Sequence, residues 1–236
     1  MKTKEFLSSN NVEFVSVNIA EDPEGLNELR RLGARSIPVV SRGDEFTFAQ
    51  QLSDVVEFLK LDVDVSPALS PAELAERLDH VLATASRLIR QIPIESLDDK
   101  LPNRDRTLRV LAHHVFRISE AFLEACDGAE LTAALPVVPP TDDMQSFVAM
   151  ADYGDTVRAR VAAWWAGLDD KTCQRRMKTY YGEPRMHEVL ERTTWHTAQH
   201  VRQIRMVLET RNVTPDRPLS EADLKGLPVP EKVWDD

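Results

Sequence analysis

A short segment without an apolar stripe divides the chain into two parts whose apolar residues repeat with different periods. The segment spans residues 62–70, contains Pro67 and is followed directly by Pro71. Small polar residues and prolines of this kind are typical of an interdomain linker. Before the segment, period-two runs occur between short helical stripes, whereas the long stripes after it repeat with the helical period. We therefore predict a multi-domain chain, with an α/β domain over residues 1–61 and an all-α domain over residues 71–212.

The first domain is predicted to combine helices, one strand and a hairpin. Asp22 is the predicted N-cap of the helix over residues 23–32, and Pro23 lies in its first turn. Gly33 ends this helix. The turn of the hairpin contains Gly43, with apolar residues on both sides. The predicted order is helix, strand, helix, hairpin and helix, over residues 2–10, 12–19, 23–32, 36–48 and 52–59.

Three stretches of this domain, residues 2–7, residues 12–14 and Ser36-Ile37-Pro38-Val39-Val40, carry a resemblance to a known family. Over residues 1 to about 61, the chain resembles the glutaredoxin family of the thioredoxin fold. That family has a cis proline where Pro38 stands, and the backbone beside it pairs with the cysteine of bound glutathione. The resemblance implies that Ile37 and Pro38 form a thiol-binding edge.

The domain departs from the family in the part that carries the chemistry. The family's first strand and Cys-x-x-Cys would lie directly before Lys2, and the cysteines of this chain are Cys126 and Cys173. Residues 1–61 therefore lack a thiol for disulfide reduction by the usual route. Two explanations stay open. Either Met1 is an internal codon and the missing strand precedes it in frame, or the domain has lost catalysis and remains a docking or thiol-binding module.

The second domain is predicted to contain four long helices. Ser70 provides an N-cap, Pro71 the first helical position and Glu73 an acidic side chain in the first turn. Four helices joined by connections long enough to cross are typical of a four-helix bundle. The helices are predicted over residues 70–92, 106–126, 142–168 and 184–211, and a proline-rich, extended tail over residues 213–236.

The fourth predicted helix carries His196 and His200, whose four-residue spacing places both imidazoles on one helix face. Val189 and Ile204 belong to the same, mostly apolar stripe, where a neutral histidine needs a polar partner or a ligand. Two histidines on one helix can bind one metal ion but do not complete its coordination. A further ligand is therefore expected from a neighbouring helix.

The second predicted helix offers His113 and His114 for this role. His114 is flanked by Leu111 and Ile118 at three- and four-residue spacing, on the buried face, whereas His113 points toward Arg117. We therefore choose His114 as the third metal ligand. A site with three protein ligands keeps one position open for water or substrate, which is typical of catalytic sites.

The segments around these histidines, residues 108–115 and 195–204, resemble the DinB/YfiT-like family of metal-dependent four-helix bundles. The resemblance covers residues 70 to about 212. It implies that His114, His196 and His200 bind a divalent metal, usually zinc or nickel, and imidazole ligands suit both ions. Some members are hydrolases, and others transfer or use low-molecular-weight thiols such as bacillithiol, mycothiol or glutathione. Members often dimerise, which implies a homodimer as one option here.

Two hypotheses follow for the whole chain. The first is a metal-dependent thiol S-transferase or hydrolase that acts on a small-molecule substrate, with a low-molecular-weight thiol as an additional cofactor. The alternative is a non-catalytic stress-response or thiol-binding module with a structural metal. The glutaredoxin-like neighbour favours thiols. Basic side chains are candidates for binding the carboxylate groups of a low-molecular-weight thiol, namely those of Arg175, Arg176, Lys178, Arg202 and Arg205.

Composition excludes several other classes. A net charge of −10 argues against nucleic-acid binding, which depends on clustered positive charge. No apolar run approaches the ~20 residues of a membrane helix. The first residues lack the apolar core of a secretory signal, so we expect a cytoplasmic protein. Two cysteines far apart, outside any Cys-x-x-Cys, argue against a disulfide scaffold and a thiolate zinc site.

Overall fold

The structure is a computed structural model that describes residues 2–101 and 106–233. The chain divides into two compact units, with the boundary between Ser66 and Pro67. The first unit contains a two-stranded antiparallel sheet, in which Val39 lies opposite Phe48 and Arg42 opposite Glu45. Its elements are α1 (Lys2–Ser9), α2 (Pro23–Arg31), β1 (Val39–Arg42), β2 (Glu45–Phe48) and α3 (Leu52–Leu59). Leu7, Ala49 and Val55 form the small core of this unit.

Helix α2 begins where the sequence predicts it. The Oδ1 atom of Asp22 accepts hydrogen bonds from the backbone N–H groups of Glu24 at 2.9 Å and Gly25 at 3.2 Å. These bonds satisfy two donors that a helix start otherwise leaves without a partner, and Pro23 has no N–H to satisfy. A cap of this kind stabilises a helix by about 1 kcal/mol.

The strand predicted over residues 12–19 is wrong, because the structure has no strand there. Residues 13–18 are exposed, and the side chain of Val15 is 90% exposed. The period-two pattern marks residues suited to a sheet, but a strand also needs a neighbour that accepts its backbone hydrogen bonds. In the described part of the chain the only sheet is the β1–β2 hairpin, which does not pair with this segment.

In the second unit, four long helices surround one apolar core. Helices α4 and α5 each pack against both α6 and α7. Their core positions include fully buried leucines, valines and phenylalanines, each of which contributes about 1.5–3 kcal/mol by burial. The helices are α4 (Pro71–Ile89), α5 (Leu108–Cys126), α6 (Phe147–Gly167), α7 (Met186–Thr210) and the short α8 (Glu221–Leu224), with 3₁₀ turns at Ile94–Ser96 and Leu135–Val137.

The starts of three helices are set by capping side chains. Ser70 and Glu73 form a capping box at α4, in which the Glu73 carboxylate accepts from the Ser70 N–H at 2.8 Å. Thr107 caps α5, and Ser146 caps α6 through a 3.0 Å bond from the Ala149 N–H. Helix α6 therefore begins five residues later than the sequence stripe predicted, because Ser146 ends the preceding loop.

The tail is only partly extended, which corrects the prediction for residues 213–236. It contains α8, and both Leu219 and Leu227 are buried in the core of the helical unit. Prolines stop long helices but leave the residues between them able to pack. From the sequence we also expect Trp234 to fold back onto the helical unit, but Trp234 lies outside the described residues. Among the residues that the structure describes, no helix has both the length and the apolarity needed to cross a membrane.

Candidate metal centre

Helices α5 and α7 bring the three histidines together. His114 lies on α5, and His196 and His200 lie one turn apart on α7. One ring nitrogen of each histidine lies within 4.8 Å of the others, and this group could hold a metal ion. His114 and His200 are buried and His196 is half-buried, so each ring nitrogen needs a partner other than bulk water.

The distance between two of these nitrogens fits metal coordination. The Nε2 atoms of His196 and His200 lie 3.1 Å apart. Two nitrogens that are each roughly 2.0–2.1 Å from one tetrahedral zinc ion are separated by about 3.3 Å. Two ring nitrogens at this distance need either a proton or a cation between them, because two facing lone pairs repel.

A backbone carbonyl fixes the tautomer of His114. Its Nδ1 atom lies 2.6 Å from the carbonyl oxygen of Pro136, in the 3₁₀ turn that packs against α5. A carbonyl only accepts hydrogen bonds, so Nδ1 carries the proton and Nε2 keeps its lone pair. Histidines that bind metals commonly donate their other N–H in this way.

A glutamine side chain plays the same part for His200. The Nδ1 atom of His200 lies 2.7 Å from Oε1 of Gln203, one turn further along α7. The amide oxygen only accepts, so Nδ1–H donates to it and Nε2 carries the lone pair that faces His196. The sequence did not predict a role for Gln203 or for Pro136. Gln203 had a signal, namely its three-residue spacing from His200 on one helix face, whereas a backbone carbonyl leaves no mark in the sequence.

The surroundings keep the imidazoles neutral. Burial lowers the pKa of His114 to about 4, with a smaller contribution from the positive charge of Arg106, while the Pro136 carbonyl opposes the shift. Burial also lowers the pKa of His196 well below the usual histidine value, aided by His200 and the charge of Arg192. Neutral imidazole is the form that binds a metal, so these two rings are in the binding form at pH 7.

The other histidines lie elsewhere. His113 is buried, but its ring stacks on Tyr153 of α6, with a centroid distance of 5.1 Å. His80 is exposed and lies 3.3 Å from a carboxylate oxygen of Asp223. His187 is half-buried and its Nε2 lies 2.8 Å from the Leu69 carbonyl oxygen. The structure therefore groups His114, and not His113, with the two histidines of α7.

Several of the basic residues considered for thiol carboxylates bond to the protein itself. Arg175 donates to the Cys126 carbonyl at 2.8 Å and Arg176 to the Glu183 carbonyl at 2.7 Å. Arg205 pairs with Glu209 at 2.7 Å. Arg202 donates to the carbonyl oxygens of Pro230 at 2.6 Å and Glu231 at 2.8 Å, while Lys178 is exposed.

The thiol-edge residues belong to the first unit. The Ile37–Pro38 peptide bond is cis, and Ile37 is 56% exposed. The Ile37 carbonyl accepts from Nε2 of Gln50 at 2.9 Å, and the Pro38 carbonyl accepts from the Ala49 N–H at 2.9 Å. These bonds hold the backbone on both sides of the cis bond against the end of β2.

Comparison with known proteins concerns this first unit. Residues 1–47 match the family described as Glutaredoxin. A stretch of 41 residues is 46% identical to the "Uncharacterized glutaredoxin-like 8.6 kDa protein in rubredoxin operon" of Clostridium pasteurianum. The stretch is 17% of this chain and 55% of that protein, so the chain spans about half the length of the curated relative it matches. The chain thus combines a glutaredoxin-like segment with a helical unit that contains a three-histidine group.

Proposed function

We propose that the chain is a metal-dependent enzyme of the DinB/YfiT-like class, a thiol S-transferase or hydrolase that acts on a small molecule in the cytoplasm. The observation that carries the proposal is the group of three ring nitrogens within 4.8 Å of one another. The Nδ1 atoms of His114 and His200 both bond to acceptors, which leaves their Nε2 atoms for a metal.

The residues of the centre would hold zinc or nickel with three imidazoles and leave a position for a further ligand. An ion of this kind lowers the pKa of a water or thiol that it binds. Arg106 and Arg192 lower the pKa of His196 through their positive charges, and the same charges stabilise a thiolate at the centre. Trp195 and His196 have ring centroids 5.6 Å apart, so an aromatic surface lies beside the centre.

The similarity of residues 1–47 to glutaredoxins supports a thiol as the second cofactor. Within the first unit, the exposed cis bond at Ile37 and Pro38 is our candidate for a thiol-binding edge. Because the chain's cysteines are Cys126 and Cys173, the reactive sulfur is proposed to come from a small thiol and not from residues 1–61.

The test combines metal analysis with a screen of thiols. Purified protein is expected to contain about one zinc or nickel ion per chain. It should also conjugate glutathione, mycothiol or bacillithiol to an electrophilic aromatic chloride, or hydrolyse an ester or amide probe. His196→Ala should remove both the metal and the activity, whereas His80→Ala, a change at an exposed histidine on α4, should retain both. Protein without stoichiometric metal, and unaffected by His196→Ala, would contradict the proposal.

The alternative is a thiol-binding or stress-response module in which the metal is structural. The exposed Ile37–Pro38 edge, in a unit that lacks cysteine, is the observation that favours it. Fully metal-loaded protein with no activity in these assays, combined with chemical-shift changes at Ile37 on addition of a thiol, would favour the module over the enzyme.

A further inference from the structure

The C-terminal segment of residues 230–233 is bonded to α7 beside the metal centre. Its four consecutive carbonyl oxygens accept hydrogen bonds from three side chains of one helix turn. Arg202 donates to Pro230 and Glu231, at 2.6 and 2.8 Å. Gln199 donates to Lys232 and Val233, at 3.0 and 2.8 Å. Gln203 donates to Val233 at 3.1 Å.

Gln203 links this segment to His200. Its Nε2 donates to the Val233 carbonyl, and its Oε1 accepts from Nδ1 of His200 at 2.7 Å. An amide side chain can turn over and exchange its oxygen and nitrogen at little cost where both neighbours are adaptable. Here the Val233 carbonyl can only accept, so it requires the amide nitrogen on its side and directs the oxygen to His200.

We propose that residues 230–233 are part of the metal centre and that they set the tautomer of His200 through Gln203, which is a positioning residue. With the Val233 carbonyl in place, the Nδ1–H form of His200 is favoured and Nε2 offers its lone pair. Without it, Gln203 can present its NH₂ group to His200, which favours the Nε2–H form and blocks the metal-binding nitrogen. The predicted effect on metal affinity rests on the proposed function. The effect of residues 230–233 on the tautomer of His200 does not depend on a metal.

The tautomer is measured in full-length protein treated with a chelator, by ¹⁵N NMR of the histidine rings. Wild-type His200 is expected in the Nδ1–H form. The double variant Gln199→Ala/Arg202→Ala removes four of the bonds to the segment and leaves Gln203 and the histidines in place. It should show a mixture of both tautomers, and zinc affinity, measured by competition with a chromophoric chelator, should fall about three- to tenfold.

Two single variants of Gln203 test whether zinc affinity depends on the hydrogen bond to His200 or on the stability of the fold. Gln203→Leu should lower zinc affinity about 10- to 100-fold, the range seen for outer-shell partners of metal-binding histidines. Gln203→Glu keeps an acceptor for His200 and should stay within about threefold of wild type, even though its carboxylate repels the Val233 carbonyl. Melting temperatures of all variants identify any loss of fold.

An unchanged tautomer and unchanged zinc affinity in the double variant would overturn the inference. So would a loss in Gln203→Glu as large as that in Gln203→Leu, since the hydrogen bond to His200 would then be irrelevant. Wild-type protein that binds no zinc would defeat the proposed function, and the tautomer measurement would still decide whether the segment controls His200.

Discussion

Gly154 of α6 lies directly against the aromatic ring of Phe116 on α5, and a methyl group at this position would overlap three carbon atoms of the ring. Helix α6 continues through Gly154 without interruption. The glycine therefore permits two helices to approach closely, which is a packing role.

Gly154→Ala is expected to destabilise the helical unit by about 1–3 kcal/mol, because the Phe116 ring has to leave its position in a fully buried core. Urea unfolding followed by circular dichroism measures the change. Gly167→Ala is the matched control, since it lies on the same helix with no atom close to the new methyl group. If both variants had the same stability, close packing at Gly154 would be refuted.

Zinc should raise the melting temperature of the wild-type protein, because a ligand that binds only the folded state stabilises it. At a free zinc concentration 100 times the dissociation constant, the free energy of unfolding rises by about 2.7 kcal/mol. His114→Ala should abolish the zinc-dependent increase. His113→Ala removes the ring that stacks on Tyr153 and should lower the melting temperature, yet it should retain the increase. Equal zinc responses in these two variants would show that the metal binds elsewhere.

The stability of chelator-treated protein should depend on pH through His114. Its pKa is lowered to about 4 in the folded state, against roughly 6.5 in the unfolded state. As the pH falls, the unfolded state therefore binds a proton before the folded state does. The contribution of neutral His114 to the free energy of unfolding is complete above pH 6.5 and is lost as the pH falls toward 4. The loss is at most about 3 kcal/mol. Urea unfolding between pH 7 and 4 tests this, and His114→Gln should show a shallower decline.

The two thiols of the helical unit should react slowly in the native protein. Burial raises the pKa of Cys126 to about 12, against the opposing charge of Arg175, and burial also raises the pKa of Cys173. The reactive thiolate is therefore scarce at pH 8. Alkylation by iodoacetamide, followed by mass spectrometry, should be at least 100-fold slower in native protein than in urea. Rapid labelling of native Cys126 would contradict the raised pKa.

The sequence predicted those parts of the structure that depend on local pattern. The stripes of α4 to α7 and the cap at Ser70 involve residues close in the chain, and the spacing of His196 and His200 alone places them on one face. The period-two run of residues 12–19 failed as a prediction because a strand depends on a distant partner. The contacts of Pro136 and of residues 230–233 could not be predicted from the sequence, because they are made by backbone carbonyls, which every residue carries.

The 3.1 Å approach of His196 and His200 also determines how protons are rearranged when the centre is occupied. Since Nδ1 of His200 donates to Gln203, the neutral ring accepts at Nε2, and the proton between the two rings belongs to Nε2 of His196. A cation that takes this place forces that proton to Nδ1 of the same ring. The three imidazoles of the free and the occupied centre then differ in the position of one proton and not in the number of protons, so a proton that enters the buffer on occupation comes from the water or thiol in the remaining position.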